Sequence, residues 1–415
     1  MATSSSQSDS NSLTETDKTA AAVTTEPSPT VAETSSPTEP QTFSLDQSWL
    51  YAGGACIAIY GLFSSIDLLN FGFQSILGPQ VAGLLDLAVN PWLGLLLGIL
   101  ATALVQSSSI VTTLLVALVA GGLPIATAIP IVMGANLGTT ITNTLVSLGY
   151  MGDDKDFERG FAAATIHDCF NLLALLIFFP LELLLHPLER LSYWVLQQGV
   201  SVTFIPDGFS SPLEWLLQPI RWLLAYGVNA LPGPWDSLLL FSTSVGGLMI
   251  SVTTLGWLLK RWLDGPTQTA IHWAIGHGSG LGGLAAGASI TALLQSSSMT
   301  TSLMVPLAGA GLVTLEEIYP FVLGANIGTC ITALLATLAV NSPVALQLAL
   351  IHLSYNLFAV IFIYGLPGLR NIPVTMASKL ASVTLRFRLV AIVYVVGLFF
   401  ALPFLTLWLS FTLMT

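Results

Sequence analysis

Ala103-Leu104-Val105-Gln106-Ser107-Ser108-Ser109 returns later in the chain as Ala292-Leu293-Leu294-Gln295-Ser296-Ser297-Ser298. More of the sequence returns with it. Gly134-Ala135-Asn136-Leu137-Gly138-Thr139 recurs as Gly324-Ala325-Asn326-Ile327-Gly328-Thr329, and His167 with Asn171 recurs as His352 with Asn356. Three landmarks in the same order define an internal repeat, the signature of many carriers.

The medium around the repeats follows from composition. Of the 415 residues 8% are charged and 53% hydrophobic, and mean hydropathy is +0.80, well outside the mix of a soluble domain. Crossing a bilayer takes roughly 20 apolar residues. Leu50 to Ile66, Phe161 to Pro180, Leu238 to Leu259, Ala345 to Gly365 and Leu389 to Phe411 answer to that description. A polytopic membrane protein in contact with lipid is expected, with no nucleic-acid partner. Residues 1–44 are rich in Ser, Thr, Pro and Glu without apolar periodicity and read as a disordered tail. They contain no basic n-region with an apolar core, so no signal peptide is expected. The net charge of -11 is concentrated partly in this tail and says little about a ligand. Cys56, Cys169 and Cys330 all fall within apolar stretches and read as free buried thiols.

Basic residues orient the copies, because short cytoplasmic loops carry excess Lys and Arg. The loop after the first Gly-Ala-Asn segment holds Lys155 and Arg159, whereas its counterpart, Ala339 to Pro343, is uncharged. The copies are therefore expected to be inverted. Threading onward puts Lys260, Arg261, Arg370, Lys379, Arg386 and Arg388 on the side of Lys155, with the N-terminus cytoplasmic. The expected organisation is a tail (1–44), repeat 1 (45–185), an extracytoplasmic connector with interfacial helices (186–237), repeat 2 (238–370), then a basic loop and final membrane helix (371–415). Trp194, Trp215, Trp222 and Trp235 suit the connector to an interface.

A Gln and three Ser inside an apolar run cannot face lipid, since each unpaired polar group there costs several kcal/mol. Pro91 to Val105 and Ile110 to Ala120 are each too short to cross, so a re-entrant helical hairpin with its tip at Gln106 to Ser109 is expected, and another at Gln295 to Ser298. The Gly-Ala-Asn segments lie inside runs long enough to span, Leu123 to Gly149 and Ile318 to Ala339. Two Gly within five residues weaken a helix by about 1 kcal/mol each relative to Ala, so a broken transmembrane helix is expected in each repeat. Unwound carbonyls suit a cation and helix N-termini suit an anion. Ser and Thr hydroxyls serve either. The fold class is thus an all-α polytopic membrane protein of two inverted-topology repeats, each with a hairpin and a broken helix.

Blander readings compete. Ser and Gly in membrane helices often serve close packing; duplication of both motifs favours a ligand site instead. His167 with Asn171, and His352 with Asn356, lie one helical turn apart and read as interhelical hydrogen-bond partners. Asp168 is an ionisable group within a span and a functional candidate on that ground, although Leu353 replaces it in repeat 2. Glu316 and Glu317 read as helix-capping acids. Duplicated Ser triplets do not fit an intramembrane serine hydrolase, which needs one Ser activated by a base.

The paired Gln-Ser-Ser-Ser motifs and paired Gly-Ala-Asn-x-Gly-Thr segments resemble the type II sodium/phosphate cotransporters. So do Ala162-Ala163-Ala164-Thr165-Ile166-His167-Asp168-Cys169-Phe170-Asn171 and Pro180-Leu181-Glu182. The resemblance covers roughly residues 50 to 400. It implies sodium-coupled import of inorganic phosphate at the plasma membrane by alternating access, with sodium as coupling ion, no organic cofactor and no covalent chemistry. By the same resemblance Gln106, Ser107, Ser108, Ser109, Gln295, Ser296, Ser297 and Ser298 bind phosphate and sodium. Gln295, Ser296, Thr329 and Thr332 hold sodium, Asn136, Thr139 and Asn326 complete the loops, and Asp153 and Asp168 are candidates for coupling. A carrier of sulfate, arsenate or a carboxylate, and a phosphate sensor or channel without coupled turnover, are the alternatives. The chain departs from the animal members in having no Cys in its connector and no Asn-x-Ser/Thr sequence.

Overall fold

The computed structural model describes residues 45–76, 89–148, 150, 152–199, 218–220, 222, 235–262 and 280–414. Among these there are helices and no strands. The expected tail and most of the connector, Trp215 included, lie outside the described residues. In chain order the helices are α1 (Leu45–Ile76), α2 (Pro91–Val105), α3 (Ser108–Ala120), α4 (Ile125–Gly138), α5 (Ile141–Leu148), α6 (Asp154–Leu185) and α7 (Pro187–Gln197). They are followed by α8 (Trp235–Trp262), α9 (Gly280–Leu294), α10 (Ser297–Ser302), α11 (Met304–Gly309), α12 (Leu315–Val340) and α13 (Pro343–Ala359). The last are α14 (Pro367–Arg370), α15 (Ile372–Arg386), α16 (Arg388–Val396) and α17 (Leu402–Met414). A π-helical turn, Val360–Tyr364, extends α13, and another, Gly397–Ala401, joins α16 to α17. Five segments are long and apolar enough to cross a membrane: Ile125–Leu148, Asp154–Leu185, Leu315–Val340, Pro343–Tyr364 and Arg388–Leu413.

Local chemistry explains where the elements begin. Asn90 caps α2 by accepting from the Trp92 N–H at 3.0 Å, with Pro91 at the first helical position. Thr314 and Glu317 form a reciprocal capping box on α12, which fulfils the capping role expected of Glu317.

Glycine decides how the helices pack. In membranes association rests on close van der Waals contact between small residues. An added Cβ at Gly98 would overlap the Ile131 carbonyl, one at Gly134 the Leu95 carbonyl, and one at Gly138 would lie 2.7 Å from the Ile99 carbonyl. In the second copy Gly287 meets Phe321, Gly324 meets Leu284, and a Cβ at Gly328 would lie 2.5 Å from the Ala288 carbonyl. Partners rise together along the chain, so α2 runs parallel to α4, and α9 to α12. Between parallel neighbours the chain must double back: α3 is the return leg in one copy, α10 with α11 in the other. Both hairpins are therefore present.

The expected broken helix is present in the first copy and corrected in the second. Gly134 to Gly138 is helical and the first copy interrupts later, at Thr139 and Thr140; in the second copy α12 runs unbroken through Gly324 to Thr329. Lost helix propensity of about 1 kcal/mol per Gly is outweighed by helix approach that only Gly permits. The glycines serve packing.

The two copies interlock. The return leg α3 packs on α12 and α13, while α11 packs on α6. Helices α1 and α8, which precede the hairpins, run antiparallel: Gly54 faces Leu258, Gly61 faces Ser251, and Gly247 faces Ser65. Residues 372–386, expected as a loop, form helix α15, which lies on α6. Among the cysteines Cys169 and Cys330 are buried as expected, but Cys56 is exposed, on an α1 face that also exposes Trp49 and Ile57.

Candidate substrate and ion site

The two hairpin tips share one backbone design. Gln106 (φ 56°) and Gln295 (φ 57°) both occupy the left-handed region, a conformation that costs a non-glycine residue about 1–2 kcal/mol. Each closes the preceding helix, its N–H bonded at 2.7 Å to the Thr102 and Thr291 carbonyls respectively. The next residue is extended and caps the return leg. Ser107 Oγ accepts from the Ile110 N–H at 3.4 Å and Ser296 Oγ from the Met299 N–H at 3.3 Å. Strain repeated at equivalent positions points to a functional cause.

Exposure separates the tips. Gln106 is exposed and Ser107 half-buried, whereas Gln295 is buried; Ser108, Ser109, Ser297 and Ser298 are buried in both copies. The second tip rests on repeat 1, with Ser298 Oγ donating to the Thr139 carbonyl at 3.3 Å. Behind it Asn143 on α5 donates to Thr301 Oγ1 at 2.7 Å and accepts from Ser302 Oγ at 2.8 Å. Alanine stands at the matching position 333, so this clasp belongs to one copy.

Several buried oxygens near these tips have no hydrogen-bond partner: Gln295 Oε1, Thr332 Oγ1, Thr142 Oγ1, Thr102 Oγ1 and Thr291 Oγ1. Leaving such a group unpaired costs about 1–3 kcal/mol; Gln295 Oε1 is an acceptor, and the threonine hydroxyls can donate or accept. Gln295 and Thr332 were singled out from the sequence. Thr102, Thr291, Thr142 and Asn143 were not, although Thr102 and Thr291 each stand four residues before the tip Gln, a duplication visible in the sequence. Thr329 Oγ1 donates to the Ala325 carbonyl at 2.9 Å, and Thr139 Oγ1 to the Ala135 carbonyl at 3.0 Å, which leaves their lone pairs free.

Asn136 and Asn326 both stand in buried side-chain networks. Asn136 Nδ2 donates to Asn356 Oδ1 at 2.7 Å while its Oδ1 lies 3.4 Å from His352 Nε2. Asn326 Nδ2 donates to Asn171 Oδ1 at 2.7 Å and its Oδ1 lies 2.6 Å from His167 Nε2. Each copy's Gly-Ala-Asn amide is thus spent on the other copy's His and Asn, in matched pairs. The interhelical role expected of the histidines is present, and the asparagines belong to it.

The acidic candidates part company as well. Asp168 is buried; its Oδ2 accepts from Tyr394 Oη at 2.8 Å and Thr144 Oγ1 at 3.4 Å, while its Oδ1 has no partner. Asp153 is exposed at the head of α6, accepting from the Asp156 and Lys155 N–H groups at 3.0 and 2.9 Å. Those bonds, the Asp156 one first, hold its carboxyl below the usual range. It caps a helix and touches neither tip.

Taken together, duplicated strained tips with unpaired oxygens inside a polytopic bundle define the class: a helical membrane protein built on an internal repeat around a polar centre. A family described as Na+/Pi-cotransporter matches residues 62–192 and 248–405, one stretch for each copy. The chain belongs to that sodium/phosphate cotransporter family. Among curated proteins it is 33% identical over 432 residues to sodium-dependent phosphate transport protein 2A of Ovis aries, covering 85% of this chain and 66% of the relative. Identity is 34% over 437 residues to the 2A protein of Rattus norvegicus, with the same coverage, and 31% over 447 residues to the 2B protein of Homo sapiens, with 85% and 64% covered. The chain thus spans just under two thirds of the length of these relatives. No solved structure matches it.

Proposed function

We propose that this chain is a symporter that imports inorganic phosphate across the plasma membrane, coupled to sodium, by alternating access of two inverted repeats. The observation that carries this reading is the pair of matched hairpin tips with unpaired buried oxygens, in a member of the sodium/phosphate cotransporter family. Gln295 Oε1, Ser296 Oγ, Thr329 Oγ1 and Thr332 Oγ1 form a neutral oxygen set of the kind that holds a hard cation. The serines of both tips, capping the heads of α3 and α10, offer hydroxyl and backbone donors to a phosphate oxyanion. No Lys or Arg is needed to hold the anion, and weak neutral donors suit a carrier that must let go.

Antiparallel α1 and α8 support the inversion, and the gathering of Lys155, Arg159 and Arg388 supports a cytoplasmic side there, with the N-terminus on the same side. In this reading 45–185 and 238–370 are the transport repeats and 186–237 the external connector. The crossed His and Asn pairs lock each repeat to the other, so that the tips move as one body. Asp168 is kept as a coupling candidate and Asp153 as a cap. The test is labelled phosphate uptake into proteoliposomes under an inward sodium gradient, with potassium as control and arsenate or sulfate as competitors. Uptake that needs sodium and is competed by arsenate but not sulfate supports the assignment; sulfate uptake without phosphate uptake overturns it.

A further inference from the structure

A crevice of about 320 Å³ is lined by Glu316, Tyr319, Tyr364, Gly365, Arg370 and Val374 among others, with no hairpin-tip residue in its lining. It sits at the first turn of α12, where the capped helix end meets the π turn Val360–Tyr364 and the head of α15. The volume is that of a small-ligand pocket. The Tyr319 side chain is 2% exposed and its hydroxyl has no partner. Arg370 spends one donor on Tyr364 Oη at 2.8 Å and stacks over that ring at 4.2 Å, leaving further N–H groups for an oxyanion. Glu316 brings a carboxylate to the same crevice.

Repeat 1 shows that the fold does not require these groups. By the register that pairs Pro130 with Pro320, Ile129 stands where Tyr319 does; by the register that pairs Asn171 with Asn356, Phe179 stands where Tyr364 does. Trp92 at the head of α2 closes edge-on against Phe179, centroids 5.0 Å apart. The head of α9, Gly280-Leu281, brings no aromatic ring, and Gly280 lies against the Tyr364 hydroxyl. An apolar, filled corner in one copy is a polar, open corner in the other.

We infer that this crevice binds the headgroup of a zwitterionic amine phospholipid, with the phosphodiester on Arg370 and Tyr319 and the ammonium on Glu316. Ile361, Phe362 and Leu366, close in the chain to the lining residues Tyr364 and Gly365, are exposed, as is Leu281 next to Gly280, which lies against Tyr364; they give the acyl chains an apolar path beside it. One cation and one carboxylate in a single crevice match a headgroup carrying both charges, and favour it over free phosphate, which Glu316 would repel. Occupancy would brace the start of α12, and stands independently of the transport proposal.

Native mass spectrometry of the full-length protein tests this, after delipidation and titration with phosphatidylethanolamine, phosphatidylglycerol or inorganic phosphate. Wild type should retain one phosphatidylethanolamine. Arg370→Gln should lower retention about tenfold and Tyr319→Phe about fivefold, the losses expected for a charged and a neutral hydrogen bond. Glu316→Gln should erase the preference for phosphatidylethanolamine over phosphatidylglycerol. Tyr319→Phe removes an oxygen without an internal partner, so the unfolding midpoint of the delipidated protein should not fall. Unchanged retention in both Arg370→Gln and Tyr319→Phe would overturn the site. Retention lost together with that midpoint, or lipid displaced by inorganic phosphate that Arg370→Gln no longer binds, would overturn the lipid assignment.

Discussion

Replacing Gly328 by Ala adds one methyl group at a close point of the α9–α12 contact, beside the hairpin tip. The new Cβ would stand 2.5 Å from the Ala288 carbonyl oxygen, 2.7 Å from Thr291 Cβ and 3.1 Å from the Ala292 nitrogen. A carbon tolerates a carbonyl oxygen at about 3.3 Å, so α9 must retreat by roughly 0.8 Å. Two of the three atoms are backbone, and no rotamer relieves them. Overpacking of this kind costs about 1–3 kcal/mol, and α9 carries Gln295 at its end, so the tip moves with it. Gly53→Ala is the control: nothing lies within 4 Å of its added Cβ, and the gain in helix propensity should stabilise by about 0.5–1 kcal/mol. Thermal unfolding in detergent, with phosphate uptake at saturating sodium, reads both. A Gly328→Ala protein with wild-type unfolding and uptake would refute the packing argument, since an unwound glycine loop would accept Ala whereas this helix contact does not.

On the proposed shared site, Gln295→Ala should weaken sodium activation and phosphate transport together, its buried Oε1 having no partner within the protein; sodium activation curves of uptake check it. Removing one member of the crossed network strands a buried partner at about 1–3 kcal/mol. His167→Ala should cost more than His352→Ala, given contacts of 2.6 and 3.4 Å, and paired unfolding curves decide the order. Asp153→Asn should leave sodium activation and charge movement as they are, because Asp153 caps α6 away from the tips; altered charge per phosphate in voltage-clamped vesicles would return it to the coupling path. The depressed Asp153 carboxyl favours the folded state above its unfolded value and loses that contribution as pH falls through the folded one. Asp153→Ala should therefore flatten the acid limb of an unfolding-versus-pH profile.

Much of this architecture could be read from the chain. The half-helices beside Gln106 and Gln295 were legible because their lengths fall short of a bilayer and their polar tips cannot face lipid. The crossed His and Asn pairs were legible in kind, from spacing alone. The second Gly-Ala-Asn segment misled because propensity marks Gly as a helix breaker, while tertiary packing uses its missing side chain to let backbones touch. That choice depends on a neighbour distant in sequence, such as Ala288 for Gly328. The clasp of Asn143 on Thr301 and Ser302, and the hydroxyls of Thr102 and Thr291, escaped notice for the same reason: a Thr in a membrane helix bonds its own backbone as easily as a ligand, and only the three-dimensional arrangement separates the two.

The central claim is coupled transport through one site, and the most direct measurement is accumulation of labelled phosphate against its own gradient in proteoliposomes holding an inward sodium gradient. Phosphate should rise above its external concentration and leak back when an ionophore collapses the sodium gradient, since linkage between the two ligands runs both ways. Phosphate that only equilibrates, with or without sodium, would contradict the account.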